Sequence, residues 1–207
     1  MTEVATVLFG REDIHRRVQE LGRAITGEYE GREPVLISVL KGGTTFLADL
    51  YREISLPVAI EFMAISRYGD APESLGRVKI LMDVQMDLVG RDVILVEDIV
   101  DTGLTLSYLL TTLRARGTAS VEVCTLLDKS VRRIAPVEVR YVGFDCPDSF
   151  VVGYGLDFRE RYRNLPDILA VQDMQALEDR PDALVPFLVN RRGLPGSGAG
   201  STVAEDR

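Results

Sequence analysis

Glu97, Asp98 and Asp101 stand within five positions of one another, and Thr102, Gly103 and Thr105 follow directly. Carboxylates packed this closely repel unless a cation or a hydrogen-bond donor lies near them. Adjacent hard oxygens suit Mg²⁺ or the hydroxyls of a sugar. The apolar run Val93 to Val96 precedes the acids, and Leu106, Leu109, Leu110 and Leu113 recur at i, i+3, i+4 and i+7 behind the threonines, the spacing of one helix face. The predicted order is buried strand, acidic turn, hydroxyl and glycine turn, helix. The first amides of a helix lack internal partners and carry the positive end of its dipole, so a glycine turn there suits a phosphate. A phosphate beside a metal-bound polyol points to a phosphorylated ribose. An ordinary strand-turn-helix with solvated acids is the competing reading.

Other segments repeat the pattern. Pro34 to Leu40 is an apolar run of strand length that ends in Lys41-Gly-Gly-Thr-Thr45, with Leu47, Leu50, Tyr51 and Ile54 on one predicted helix face. Gly42 and Gly43 allow close backbone approach and Lys41 adds a cation, yet a P-loop is excluded because its spacing is absent. On the residues alone, a tight turn with a solvated lysine fits equally well. Strands are predicted over 58–65, 78–82, 120–127 and 137–144, with a last strand and a short helix over 168–177. The amphipathic stretch from Glu12 to Tyr29 buries Ile14, Val18, Leu21 and Ile25. The polar segment 66–76 between two strands is long enough to suggest a lid. Lys129 follows a strand, although a surface lysine is the commoner fate. Phe150 beside Val151 could stack on a planar base, and Asp157 with Arg159, Arg161 and Arg163 could hold metal and phosphate; a strand with a charged turn is the alternative.

Composition narrows the classes. The 207 residues, 46% hydrophobic with net charge −8, suit one domain with a sizeable core and provide no general basic field for nucleic acid or anionic membrane. The N-terminus has neither the basic start nor the apolar core of a secretion signal, and no apolar run approaches membrane-spanning length, so a cytoplasmic protein is expected. The single histidine, His15, argues against a His-based zinc site or a Ser-His-Asp triad. Cys124 and Cys146 read as reduced packing residues. Residues 191–207 are linker-like and expected to be disordered.

Val96-Glu-Asp-Ile-Val-Asp-Thr-Gly-Leu-Thr105 resembles the phosphoribosyl-diphosphate-binding motif of type I phosphoribosyltransferases, in the form carried by the hypoxanthine-guanine branch. Leu40-Lys-Gly-Gly43, Phe150-Val-Val-Gly-Tyr-Gly-Leu-Asp157 and Tyr162-Arg-Asn-Leu-Pro166 resemble further motifs of that family, and the likeness runs in family order from about residue 10 to 178. The implied fold is α/β: a mainly parallel twisted sheet flanked by helices, a small hood subdomain, and a flexible lid at 66–77, all within residues 1–180. The implied reaction joins hypoxanthine or guanine to phosphoribosyl diphosphate with Mg²⁺. Asp101 would be the general base, Glu97 and Asp98 would hold ribose and metal, and Asp101, Thr102, Gly103, Leu104 and Thr105 would cradle the 5′-phosphate. Leu40, Lys41, Gly42 and Arg163 would bind pyrophosphate, often through a non-proline cis peptide, under a lid carrying Ser66, Arg67 and Tyr68. The family's lid commonly has serine where Arg67 stands. Lys129, Phe150, Val151 and Asp157 would receive the purine, Asp157 also binding metal. The resemblance implies a homodimer or homotetramer acting on small molecules. A transferase for xanthine or uracil, or a regulator that senses phosphoribosyl diphosphate, are the alternatives.

Overall fold

The computed structural model describes residues 3–67 and 78–189. Six strands form the main sheet: β2 (Val35–Leu40), β3 (Ala59–Arg67), β4 (Val78–Met82), β5 (Asp92–Val100), β6 (Ser120–Asp128) and β7 (Tyr141–Asp145), in the spatial order β4-β3-β2-β5-β6-β7. All pairings are parallel except β3 with β4. A second, three-stranded sheet joins β1 (Ala5–Phe9), β9 (Ile168–Val171) and β8 (Phe150–Val152) in antiparallel fashion. This is the expected hood on a mainly parallel sheet.

Alternation along the buried strands divides the core between two faces. Leu36, Ile94, Val96, Cys124 and Leu126 meet helix α1 (Arg11–Glu28) and helix α2 (Thr44–Leu50) through Ile14, Val18, Leu21, Ile25, Phe46 and Leu47. Val35, Ile37, Val93, Leu95, Val121 and Val123 pack with Leu106, Leu109, Leu110 and Leu113 of helix α3 (Leu104–Arg114). Both cysteines are free and buried, and burial pushes both thiols above their ordinary values. No helix among the described residues is long and apolar enough to cross a membrane.

Several boundaries differ from the sequence expectation. β1 has no counterpart in it; strand β5 runs on through Glu97 and Asp98 to Val100, and β3 continues through Ser66 and Arg67, which pair with Lys79 and Val78. Ser66 and Arg67 therefore belong to a strand end, while Tyr68, the rest of the expected lid and the tail lie outside the described residues. Helix α2 stops at Leu50, the chain tightening into a 3₁₀ turn at Tyr51–Glu53, a common way for an α-helix to end. The segment 137–140 is no strand, because Val137 and Val139 pack instead on the α3 face of the core. Strand β8 ends at Val152 because Gly153, Tyr154 and Gly155 all have positive φ. Two short helices, α4 (Met174–Asp179) and α5 (Val185–Val189), follow β9.

The end of α1 is tied to β7 by charge. Glu28 accepts a hydrogen bond of 2.6 Å from Tyr141 Oη and one of 3.0 Å from Arg140. The tyrosine hydroxyl, followed by Arg140, holds this carboxyl below its ordinary value of 4.5. Its contribution is therefore fully present above that pH and is lost as the pH falls through the lower folded value. The side chain is 36% exposed, which limits the effect to about 1 kcal/mol. Glu28→Gln is expected to lower stability by about that much at pH 7, and denaturant melts should show the difference disappearing as the pH falls well below 4.5.

Candidate active site

The carboxyl ends of β2, β5 and β6 lie together on one edge of the sheet, where open α/β sheets receive ligands. A cleft of about 570 Å³ opens there, lined by Leu40, Glu97, Asp101, Thr102, Gly103, Thr105, Lys129, Phe150, Val151 and Asp157, with Val39, Ile65, Ile99, Val100, Leu106 and Leu156 supplying apolar wall. Most residues singled out in the sequence thus meet in one cavity. The apolar wall residues were not singled out, since each looks like any other strand or helix hydrophobe.

At one end the acidic turn becomes the N-terminus of α3. Gly103, at φ 77°, is the N-cap and places no side chain over the first amides. A Cβ there would lie 2.9 Å from Val137 Cγ2, 3.0 Å from Arg133 Cδ and 3.1 Å from Ala135 O. The Thr102 carbonyl accepts hydrogen bonds from Ile134 N at 2.9 Å and Ala135 N at 3.0 Å. The backbone of the turn is thus set from behind, leaving the cleft side open. Leu104 is absent from the cleft lining and its N–H lies 3.5 Å from Thr102 Oγ1, so it contributes through the backbone. Asp101 lines the cleft; its buried Oδ1 has no hydrogen-bond partner among the described residues and lies 3.5 Å from Arg132 Nε.

The two adjacent acids have different surroundings. Glu97 lines the cleft, whereas Asp98 packs against the glycine turn: a Cβ on Gly42 would lie 1.6 Å from Asp98 Oδ2. The Leu40–Lys41 peptide is cis. Lys41 is not part of the cleft wall; its Nζ meets Glu160 at 2.9 Å in an exposed pair that holds the glutamate's pKa below its ordinary value.

Lys129 is only 5% exposed and donates to Ser149 O at 2.6 Å. A lysine this buried is rare unless paired, which removes the surface-lysine reading. Phe150 is 41% exposed at the cleft and edges Phe158 at 6.2 Å, a platform with one free face. Val151 is buried beside it. Arg163 stands behind Asp157, at 2.8 Å from its Oδ1, and donates to Gly155 O at 2.8 Å. It does not line the main cleft. It borders a second hollow of about 340 Å³ with Arg11, His15 and Asp49, where Arg11 is paired with Asp167 and Tyr154 Oη donates to Asp49 at 2.7 Å. His15 is exposed and pairs with Gln19 at 3.1 Å.

No group of three or more His, Cys, Asp or Glu side chains among the described residues forms a metal cage. Mg²⁺ rarely uses one; it takes one or two carboxylates and completes its shell with water and substrate oxygens. Glu97 and Asp157 on one cleft fit that requirement.

The phosphoribosyl transferase domain family matches residues 10–159. The chain belongs to that family, in its hypoxanthine-guanine branch. It is 47% identical over 166 residues to the hypoxanthine-guanine phosphoribosyltransferase of Bacillus subtilis, covering 80% of this chain and 92% of that one. It is equally similar, at 47% over 166 residues, to the bifunctional protein TilS/HprT of Listeria innocua, but spans only 26% of that protein's length. Among solved structures, a hypoxanthine phosphoribosyltransferase from Staphylococcus aureus superposes with a TM-score of 0.79 at 43% identity, covering 82% of this chain and 92% of the other.

The contact between Gly42 and Asp98 has a measurable consequence. Gly42→Ala should lower stability by about 1–3 kcal/mol, the usual cost of overpacking. Asp98→Ala in the same chain should recover part of it. A double-mutant cycle by denaturant melts that finds strict additivity would contradict this contact.

Proposed function

We propose that the chain is a purine salvage transferase that converts hypoxanthine or guanine and 5-phospho-α-D-ribose 1-diphosphate to the nucleoside monophosphate and pyrophosphate, with Mg²⁺, in the cytosol. The observation that carries this reading is the shared cleft: a helix N-terminus for phosphate, carboxylates for ribose and metal, and a buried lysine beside an aromatic platform for a base. Likeness to proteins named for this activity supports it. The resemblance to the family also favours a homodimer or homotetramer.

In this reading the amides from Gly103 to Thr105 and the threonine hydroxyls receive the 5′-phosphate. Glu97 receives the ribose hydroxyls, and Asp98 keeps the glycine turn at the pyrophosphate end through its contact with Gly42. Glu97 and Asp157 would hold Mg²⁺, which would supply charge neutralisation for the leaving pyrophosphate. Leu40 borders that end of the cleft, Lys41 reaches it only by leaving Glu160, and Arg163 acts first by fixing Asp157. The bond from the ribose anomeric carbon to pyrophosphate breaks as the bond to the purine nitrogen forms. The carbon becomes cation-like between, and the cleft carboxylates stabilise it.

Asp101 takes the purine N7 proton. Lys129 donates to the purine O6, Phe150 stacks on the ring, and the Val151 backbone meets the exocyclic position. Adenine offers no O6, so its binding would leave the buried Lys129 donor poorly matched, the kind of mismatch that discriminates strongly. This chemistry favours a 6-oxopurine over uracil as substrate.

Nucleotide formation from hypoxanthine and guanine with Mg²⁺ is expected, with adenine inactive; a chain that instead turns over only uracil or none of a panel of free bases would refute the reading. Asp101→Asn should lower kcat by about 10²–10⁴-fold, with a small change in phosphoribosyl diphosphate binding. Near wild-type turnover would remove Asp101 from the role of base. Chelation should abolish turnover and added Mg²⁺ restore it.

A further inference from the structure

At the phosphate end of the cleft Arg132 Nε lies 3.5 Å from Asp101 Oδ1, and its side chain is half exposed. Among the described residues lining the cleft, Lys129 is the only lysine or arginine, and it is engaged at the base end with Ser149. The turn is supported from behind by the segment 133–137. Arg133 holds that segment: its guanidinium is ion-paired with Asp128 at the end of β6, the two side chains being 17% and 15% exposed. The Arg133 stem lies where a side chain on Gly103 would go, with Cδ 3.0 Å from the position of a Gly103 Cβ. Its neighbours Ile134 and Ala135 both donate to Thr102 O. Arg133 Nη1 is buried and has no hydrogen-bond partner among the described residues. A buried N–H without an acceptor is costly. An anion arriving at the adjacent turn would compensate it electrostatically.

We propose that Arg133 is a positioning residue for the 5′-phosphate: clamped by Asp128 behind Gly103, it fixes the turn whose amides receive the phosphate and lends them positive charge from one layer behind. This rests on the functional reading above. The Asp128 pair restrains the guanidinium, so the Arg133 contribution is largely geometric and specific to this end of the cleft. The pyrophosphate end is built from Leu40, Gly42 and Asp157 and does not contact the 133–137 segment in any hydrogen bond found among the described residues.

Removing Arg133 alone would strand a buried carboxylate, which is strongly destabilising. The decisive variant is therefore the double substitution Arg133→Met with Asp128→Asn, with Arg133→Lys as the conservative partner. Calorimetric titration of the full chain with inosine monophosphate, and separately with pyrophosphate and Mg²⁺, reads the two ends of the cleft independently. The double variant is expected to bind inosine monophosphate about tenfold or more weakly, and pyrophosphate as wild type does, with Arg133→Lys recovering part of the loss. Unchanged monophosphate affinity in the double variant would overturn the inference. So would an equal loss for both ligands, or a double variant that melts as an unfolded chain, since Arg133 would then hold the fold at large. A wild-type chain that fails to bind inosine monophosphate would sink the functional reading and this inference with it; wild-type binding with an unaffected variant would sink this inference alone.

Discussion

At the Leu40 end of the cleft the Asp98 side chain, Gly42 and Gly155 approach one another so closely that neither glycine has room for a Cβ. A Cβ on Gly42 would lie 1.6 Å from Asp98 Oδ2, and one on Gly155 would lie 2.2 Å from Gly42 O. The turn after β2, the end of β5 and the loop after β8 are thereby locked together, and with them the positions of Leu40, Glu97 and Asp157. This contact joins the main sheet to the hood. In the proposed function it helps set how far Phe150 on β8 stands from Gly103 after β5, the distance a nucleotide would span.

Parallel topology makes the arrangement possible. Strands β2, β5 and β6 run in register in one direction, so the loops that leave them all emerge on one edge. Each loop contributes one function: glycine turn, acidic turn, and buried lysine. The hood, which returns through β8 and β9, adds the aromatic platform from above. Catalytic power in such a site comes from holding charged groups where charge develops, in a cleft with an apolar wall.

Much of this was legible in the sequence because the relevant residues are consecutive. The acidic stretch from Glu97 to Thr105, the Leu40 to Gly42 turn and the Phe150 to Asp157 segment each carry their own local pattern, and the structure assembles all three in one cleft. The helices were legible through periodicity, and α1 and α3 bury the faces expected. What escaped depends on long-range packing. Nothing local distinguishes Glu97 from Asp98, yet the fold puts one in the cleft and gives the other to Gly42. Val137 and Val139 have strand-forming side chains but are drawn to the α3 face of the core. Lys129 reads as a surface residue until the fold covers it. The strand β1 has few residues and finds its partner β9 over 160 positions away in the chain, from Ala5 to Val171.

The central claim is that one cleft grips a phosphorylated ribose by its phosphate, its hydroxyls and its base at once. A crystal structure of the chain with inosine monophosphate and Mg²⁺ tests it most directly. The account predicts the phosphate on the amides of Gly103 to Thr105, the ribose hydroxyls toward Glu97, and the purine against Phe150 with its O6 at Lys129. Nucleotide bound elsewhere, or seated with its phosphate away from the α3 N-terminus and Glu97 turned from the ribose, would contradict it.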